Sequence, residues 1–188
     1  LMLKEVLATH RLFAVAGLNS KLASTAFEPV HRVATVGIVR ACQKNENGTS
    51  NLLLQGLARV EVQEILCEEP FRKIKVRALT SQTGASVEEN FRLRTSLARL
   101  LSLKQRLNGD APGDFAQFLK TIEDPETYVD IAAFNLCDDP VFKQKLLETL
   151  DVHQRLQLYA RKVRTEIDEI KLRKRLQGGL TEDGISNN

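Results

Sequence analysis

The sequence is poor in the groups that most often carry chemistry. It has no tryptophan and only two tyrosines in 188 residues, and nowhere do aromatic and basic residues interleave. Single-stranded nucleic acid is usually held by stacking its bases on exposed rings, so this scarcity argues against an RNA or DNA binder. The three cysteines, Cys42, Cys67 and Cys137, are odd in number, far apart, and form no Cys-x-x-Cys pair. That pattern points neither to a zinc site nor to a disulfide framework, and it predicts buried free thiols in a reducing cytoplasm. His10, His31 and His153 fall in different predicted elements, and none has a second ligand at metal spacing. No metal and no cofactor is expected. No apolar run approaches the ~18 residues that span a bilayer, and the N-terminus has no signal-peptide layout. The formal net charge of +3 is too small to imply a polyanionic partner by itself.

What is present is the composition of a folded protein: 43% hydrophobic against 27% charged residues, a balance that disordered chains do not have. The stretch from Val33 to Leu79 organises the rest. It reads as three extended runs separated by two turn signals. Asn47-Gly48 predicts a two-residue type I′ hairpin, because that turn needs positive φ at both central positions. Glu68-Glu69-Pro70 ends the second run. Val60, Val62 and the Ile65-Leu66 end alternate with Arg59, Glu61 and Gln63. Ile74, Val76 and Ala78 alternate with Lys73, Lys75 and Arg77. A period of two marks a half-buried strand, so the stretch is an antiparallel meander with one wet face. Gly56, inside the second run, predicts a bulge or a close backbone approach.

This stretch also resembles the LON N-terminal domain, the substrate-recognition domain of ATP-dependent Lon (La) protease. The matching residues are Ala34-Thr35-Val36-Gly37, the Asn47-Gly48 turn, Leu54-Gln55-Gly56-Leu57-Ala58-Arg59 and Glu69-Pro70-Phe71. A second block, Lys145-Leu146-Leu147-Glu148-Thr149-Leu150-Asp151-Val152 with Arg155-Leu156, is also similar. The resemblance implies a PUA-like pseudo-barrel followed by helices, and binding of client proteins. In the family two further strands precede the first helix. They are absent from this sequence, so either the start is missing or the barrel closes differently. An open sheet edge would be prone to pairing with another chain, which leaves self-association open. Because PUA-like folds often bind RNA, an RNA-binding domain is the alternative reading, and the poverty in aromatics counts against it.

Upstream of the meander, Met2, Leu3, Val6 and Leu7 make one helical stripe, and Leu12 to Ala16, closed by Gly17, predicts a buried strand. Residues 17–29 form a polar loop from which Leu22 and Phe27 stand out. They either tuck beneath the loop or present an apolar contact to a client, and they are the candidate protein-binding residues.

From Ser86 onward the apolar period becomes helical. Ser86 with Glu89 is a capping box. Val87, Phe91, Leu97, Leu100, Leu101 and Leu107 are expected to be buried, and the helix stops at Asn108-Gly109. Asp114 is expected to cap a short helix bearing Phe115, Phe118, Leu119 and Ile122. Asp124-Pro125 starts a further helix with Tyr128, Ile131, Ala132 and Leu136 inward. Asp139-Pro140 starts another with Val141, Leu146, Leu147 and Leu150. Asp151 with Gln154 caps the last, whose stripe is Val152, Leu156, Tyr159, Val163, Ile167 and Ile170. From Val152 to Gln177 it carries eight basic and three acidic residues, a net of +5, read chiefly as a solvated face.

No catalytic constellation emerges. The P-loop pattern fails, since Gly179 and Gly184 are followed by Ile185 rather than lysine. Glu68-Glu69 and Asp138-Asp139 read as turn and cap residues, not as a buried acid–base pair. The sequence therefore predicts an α+β protein: a LON/PUA-like β domain over residues 1–82, a helical bundle over 84–177 and a disordered tail over 178–188. It predicts a non-enzymatic, cytoplasmic module that binds unfolded or client proteins.

Overall fold

The computed structural model describes residues 1–19, 29–109 and 113–178. Leu22, Phe27 and the tail after Gly178 lie outside them. The chain divides into two units, Leu1–Thr80 and Ser81–Asn188.

Among the described residues the first unit holds a short helix α1 (Met2–Ala8) and four strands, β1 (Leu12–Val15), β2 (Val33–Lys44), β3 (Ser50–Cys67) and β4 (Lys73–Leu79). They form one antiparallel sheet in chain order, with β1 and β4 at its edges. The β2–β3 connection departs from the two-residue expectation. Asn45 N–H donates to Thr49 O at 2.9 Å and Gly48 N–H to Asn45 O at 3.1 Å, while Gly48 alone has positive φ, at 84°. This is the longer hairpin loop, a turn closed by one left-handed glycine. Asn47 contributes its side chain, whose Oδ1 accepts from Thr49 N–H at 3.1 Å.

Gly56 borders a register shift, where Val36 faces Ala58 but Gly37 faces Gly56, so Leu57 is the bulged residue. The glycine that sterics demand is its partner. A Cβ on Gly37 would lie 2.8 Å from the Gln55 carbonyl oxygen, whereas one on Gly56 would meet only Thr35 Cγ2 at 3.8 Å. β1 is not the buried strand expected of its apolar composition. As an edge strand it leaves Leu12 and Val15 exposed.

Among the described residues the second unit is a bundle of five helices: α2 (Val87–Asn108), α3 (Asp114–Thr121), α4 (Pro125–Leu136), α5 (Pro140–Glu148) and α6 (Val152–Gly178). Its caps are local and follow the sequence. Ser86 and Glu89 complete a capping box, Asp124 Oδ2 accepts from Thr127 N–H at 2.7 Å, Asp139 Oδ1 from Phe142 N–H at 2.9 Å, and Asp151 Oδ1 from Gln154 N–H at 2.9 Å. Each satisfies an amide the helix itself leaves open. Asp114 does not cap: it is the first residue of α3, behind Gly113.

The core is built on α6, whose Val152, Leu156, Tyr159, Val163 and Ile167 are buried against Leu97 and Leu101 of α2, Tyr128, Val129, Ala132 and Ala133 of α4, Leu119 and Leu146. Three residues expected inside lie outside: Val87, Phe91 and Val141 are exposed. Asn90, at the start of α2, is buried. Its Nδ2 donates to Thr83 O at 2.8 Å and its Oδ1 lies 2.9 Å from His153 Nδ1. Asn90, Leu97 and Leu101 share the inward face of α2, while Val87 and Phe91 near its start stay exposed.

Candidate polypeptide-binding surface

The strand registers sort the β unit's residues by face. Cross-strand partners share a face, and residues two apart on an unbulged stretch share it too. One face gathers Leu12 and Ala14 from β1, Ala34, Val36 and Ile38 from β2, Ala58, Val60, Val62 and Ile65 from β3, and Ile74, Val76 and Ala78 from β4. Leu53 extends it. Gln55 is the polar residue in its midst, and its Oε1 accepts from Arg40 Nε at 2.7 Å.

This apolar face is closed at its centre and open around it. Ala34 and Val60 are buried, while Leu12 is 39%, Leu53 63%, Ile65 43% and Val76 37% exposed. A sheet face that is apolar and left partly in water is unusual unless something covers it.

The opposite face carries charge at its β3–β4 end and apolar residues toward β1 and β2, where Val39 is buried. Glu61 lies 2.6 Å from Arg77 Nη2 and 2.9 Å from Arg32 Nε. The Arg77 hydrogen bond holds the Glu61 carboxyl below the usual carboxylate range, against the opposing effect of its own desolvation. Lys73 Nζ reaches Glu5 Oε1 at 3.0 Å. Two of the three cations in the basic stripe Lys73, Lys75 and Arg77 are thus matched to carboxylates, as a solvated face requires and a phosphate track does not.

In the helical unit the exposed large apolar residues are Val87 and Phe91 on α2, Phe118 on α3, Phe134 on α4, Val141 on α5, and Leu172 and Leu176 on α6. Val87, Phe91 and Thr95 follow one another at four-residue steps on one face of α2, beside Glu88, Arg92 and Arg99.

Within this apolar core sits one buried charge that apolar periodicity does not reveal. Arg155, on α6, is entirely buried. Its Nη1 lies 2.9 Å from Asp130 Oδ1 and 3.4 Å from Glu126 Oε1; its Nε donates to Thr149 O at 3.0 Å, and its Nη2 to Ser81 Oγ at 3.2 Å. The signal that could have found it is its place in the Arg155-Leu156 block of the family resemblance. A second network joins α5, α6 and α2: Lys162 lies 3.0 Å from Asp139 and 3.4 Å from Glu166, and Glu166 lies 2.8 Å from Lys104. The Phe142 amide, then Lys162, pull the Asp139 pKa down, and the Asp139 hydrogen bond raises that of Lys162. Burial raises the Tyr128 and Tyr159 phenols.

The sequence's other candidates are dispersed. His10 Nδ1 accepts from Leu12 N–H at 2.9 Å, and His153 sits between Asn90 and Gln157. Among the described residues no three His, Cys, Asp or Glu side chains converge as metal ligands, and no helix is long and apolar enough to cross a membrane. Cys137 is buried as expected, Cys67 is half-buried, and Cys42 is exposed because it lies on the part of β2 beyond the reach of β1.

The architecture is that of a Lon N-terminal domain. The N-terminal domain of Mycobacterium avium complex Lon protease superposes with a TM-score of 0.58 at 15% identity, over 81% of this chain and 89% of that one. The Lon N-terminal domain protein from Xanthomonas campestris gives 0.53 at 17% identity, over 83% and 78%. Residues 1–162 match the ATP-dependent protease La (LON) substrate-binding domain, and the chain belongs to that family. The Lon protease of Syntrophus aciditrophicus is 31% identical over 156 residues, covering 83% of this chain and 20% of that protein. The Lon protease of Dictyoglomus thermophilum is 26% identical over 179 residues, covering 94% and 22%. The chain thus spans about a fifth of the length of the curated relatives it matches.

Proposed function

We propose that this chain grips unfolded or partly folded polypeptides through exposed apolar surface and performs no bond-breaking itself. The observation that carries the reading is the apolar sheet face left open at Leu12, Leu53, Ile65 and Val76. Unfolded clients offer the matching chemistry, apolar side chains on an extended backbone. Burying a leucine-sized side chain contributes roughly 1.5–3 kcal/mol, so two or three such contacts give a weak, sequence-tolerant grip. Membership of the substrate-binding family supports the same reading. The free thiols fit a reducing compartment such as the cytoplasm.

The test is binding of a reduced, carboxymethylated protein that cannot refold, compared with its native form. The unfolded form should bind, and Leu53→Lys or Ile65→Lys should weaken it. Salt-sensitive retention of RNA with no hold on the unfolded protein would favour the nucleic-acid reading instead.

A further inference from the structure

The segment that enters the helical unit, Ser81 to Gly84, has no regular structure of its own, yet every residue in it is held. Ser81 Oγ accepts from the buried Arg155 guanidinium at 3.2 Å and donates to Glu126 Oε1. Gln82 forms a parallel bridge with Asp151: its N–H donates to Leu150 O at 3.0 Å, and its carbonyl accepts from Val152 N–H at 2.8 Å. The Thr83 carbonyl accepts from the buried Asn90 side chain at 2.8 Å. Gly84, at φ +69°, packs so tightly that a methyl group there would fall on the Asp151 carboxylate that caps α6.

The residue before this strap is different. β4 ends at Leu79, paired with Arg59. Neither the N–H nor the carbonyl of Thr80 makes a backbone hydrogen bond among the described residues, and its side chain is exposed.

We propose that Ser81–Gly84 is a clamp, locked by Arg155, that reduces the connection between the two units to a single free residue, Thr80. With the clamp closed, only the φ and ψ of Thr80 can turn. With it open, the free connection lengthens by four residues, about 14 Å of extended chain. Arg155 is the lock because it alone touches the strap, both carboxylates of α4, and the carbonyls of Thr149 and Leu150. A buried cation with that many partners either keeps them all or leaves charges unmatched. The device rests on no assumption about what either unit binds.

Amide hydrogen exchange on the whole chain tests it. In the intact protein Gln82 and Val152 should exchange slowly, in step with α6, while Thr80 exchanges at nearly the unprotected rate. Arg155→Met should speed Gln82 through local opening by at least about tenfold more than it speeds amides in the middle of α2 and α4, which follow only the fall in global stability. Should Arg155→Met unfold the unit, Gly84→Ala lifts the strap with the buried charge in place, and fast exchange confined to residues 81–84 and the Val152 amide that pairs with Gln82 is then expected. A protected Thr80, a Gln82 as fast as Thr80 in the intact chain, or a Gln82 unmoved by the folded variant overturns the proposal.

Discussion

Arg155 Nη1 lies 2.9 Å from Asp130 Oδ1, and no part of the arginine side chain is exposed, whereas the aspartate side chain is 35% exposed. The pair is therefore asymmetric. Removing the arginine leaves Asp130 and Glu126 able to recover water, while removing a carboxylate leaves a buried cation short of a partner. Breaking a buried pair costs about 3–5 kcal/mol, and exposure of the carboxylates places Arg155→Met toward the lower end. Urea denaturation followed through the tyrosine signal of the helical unit checks this. Asp130→Asn should also destabilise, and a double variant should recover part of the loss.

Gly37 and Gly56 sit opposite each other in the sheet but should respond differently to alanine. Gly37→Ala forces Cβ against a backbone carbonyl at 2.8 Å, and overpacking of this kind costs about 1–3 kcal/mol. Gly56→Ala meets ordinary contacts and should be close to neutral. Thermal unfolding of the two variants decides between sterics at Gly37 and a requirement at the bulge.

Much of the helical unit is legible residue by residue, because a cap depends on atoms three positions away. Ser86 with Glu89, Asp124 with Pro125, and Asp139 with Pro140 all start helices where their spacing says. The stripe of α6 is equally plain. The same periodicity misplaces Val87, Phe91 and Val141, since apolar spacing near a helix start does not say which of two faces turns inward. On α2 the inward face includes Asn90, whose partners at Thr83 and His153 sequence distance hides. Arg155 is invisible to patterning for the same reason: its burial depends on Ser81, Glu126 and Asp130. In the β unit the alternation at Val60, Val62, Ile74 and Val76 identifies one face. The dipeptide Asn47-Gly48 suits two loop lengths, and the pairing of Asn45 with Thr49 selects the longer. Leu22 and Phe27, the sequence's candidates for client contact, lie outside the described residues, and the apolar sheet face emerges only from the register of four strands.

The helix caps give a graded prediction. Ser86→Ala removes one half of the capping box of α2, and Asp151→Ala removes the cap of α6; such losses typically cost about 1 kcal/mol each. Asp151 also abuts the strap at Gly84, so Asp151→Ala should in addition speed exchange at Gln82, which Ser86→Ala should not.

Acid should weaken the fold through specific carboxylates. Asp139 and Glu61 are held below their ordinary values of 3.8 and 4.5, Asp139 first by the Phe142 amide and Glu61 first by Arg77. A carboxylate with a depressed folded-state pKa contributes stability that is present above its unfolded value and lost as pH falls through the folded one. Melting temperature should therefore drop below about pH 4.5, with a shallower drop in Asp139→Asn. Lys162 acts at the other end: its raised pKa contributes below 10.5 and is lost as pH rises through the folded value.

The central claim is that open apolar surface on the sheet holds unfolded polypeptide. Its most direct test is the affinity of this chain for a permanently unfolded protein, before and after Leu53→Lys and Ile65→Lys, with each variant's melting temperature measured alongside. Both positions are already exposed, so melting should change little while affinity falls by about tenfold, the equivalent of 1.4 kcal/mol. Undiminished binding by both folded variants, or equal binding of the unfolded protein and its native form, would contradict the account.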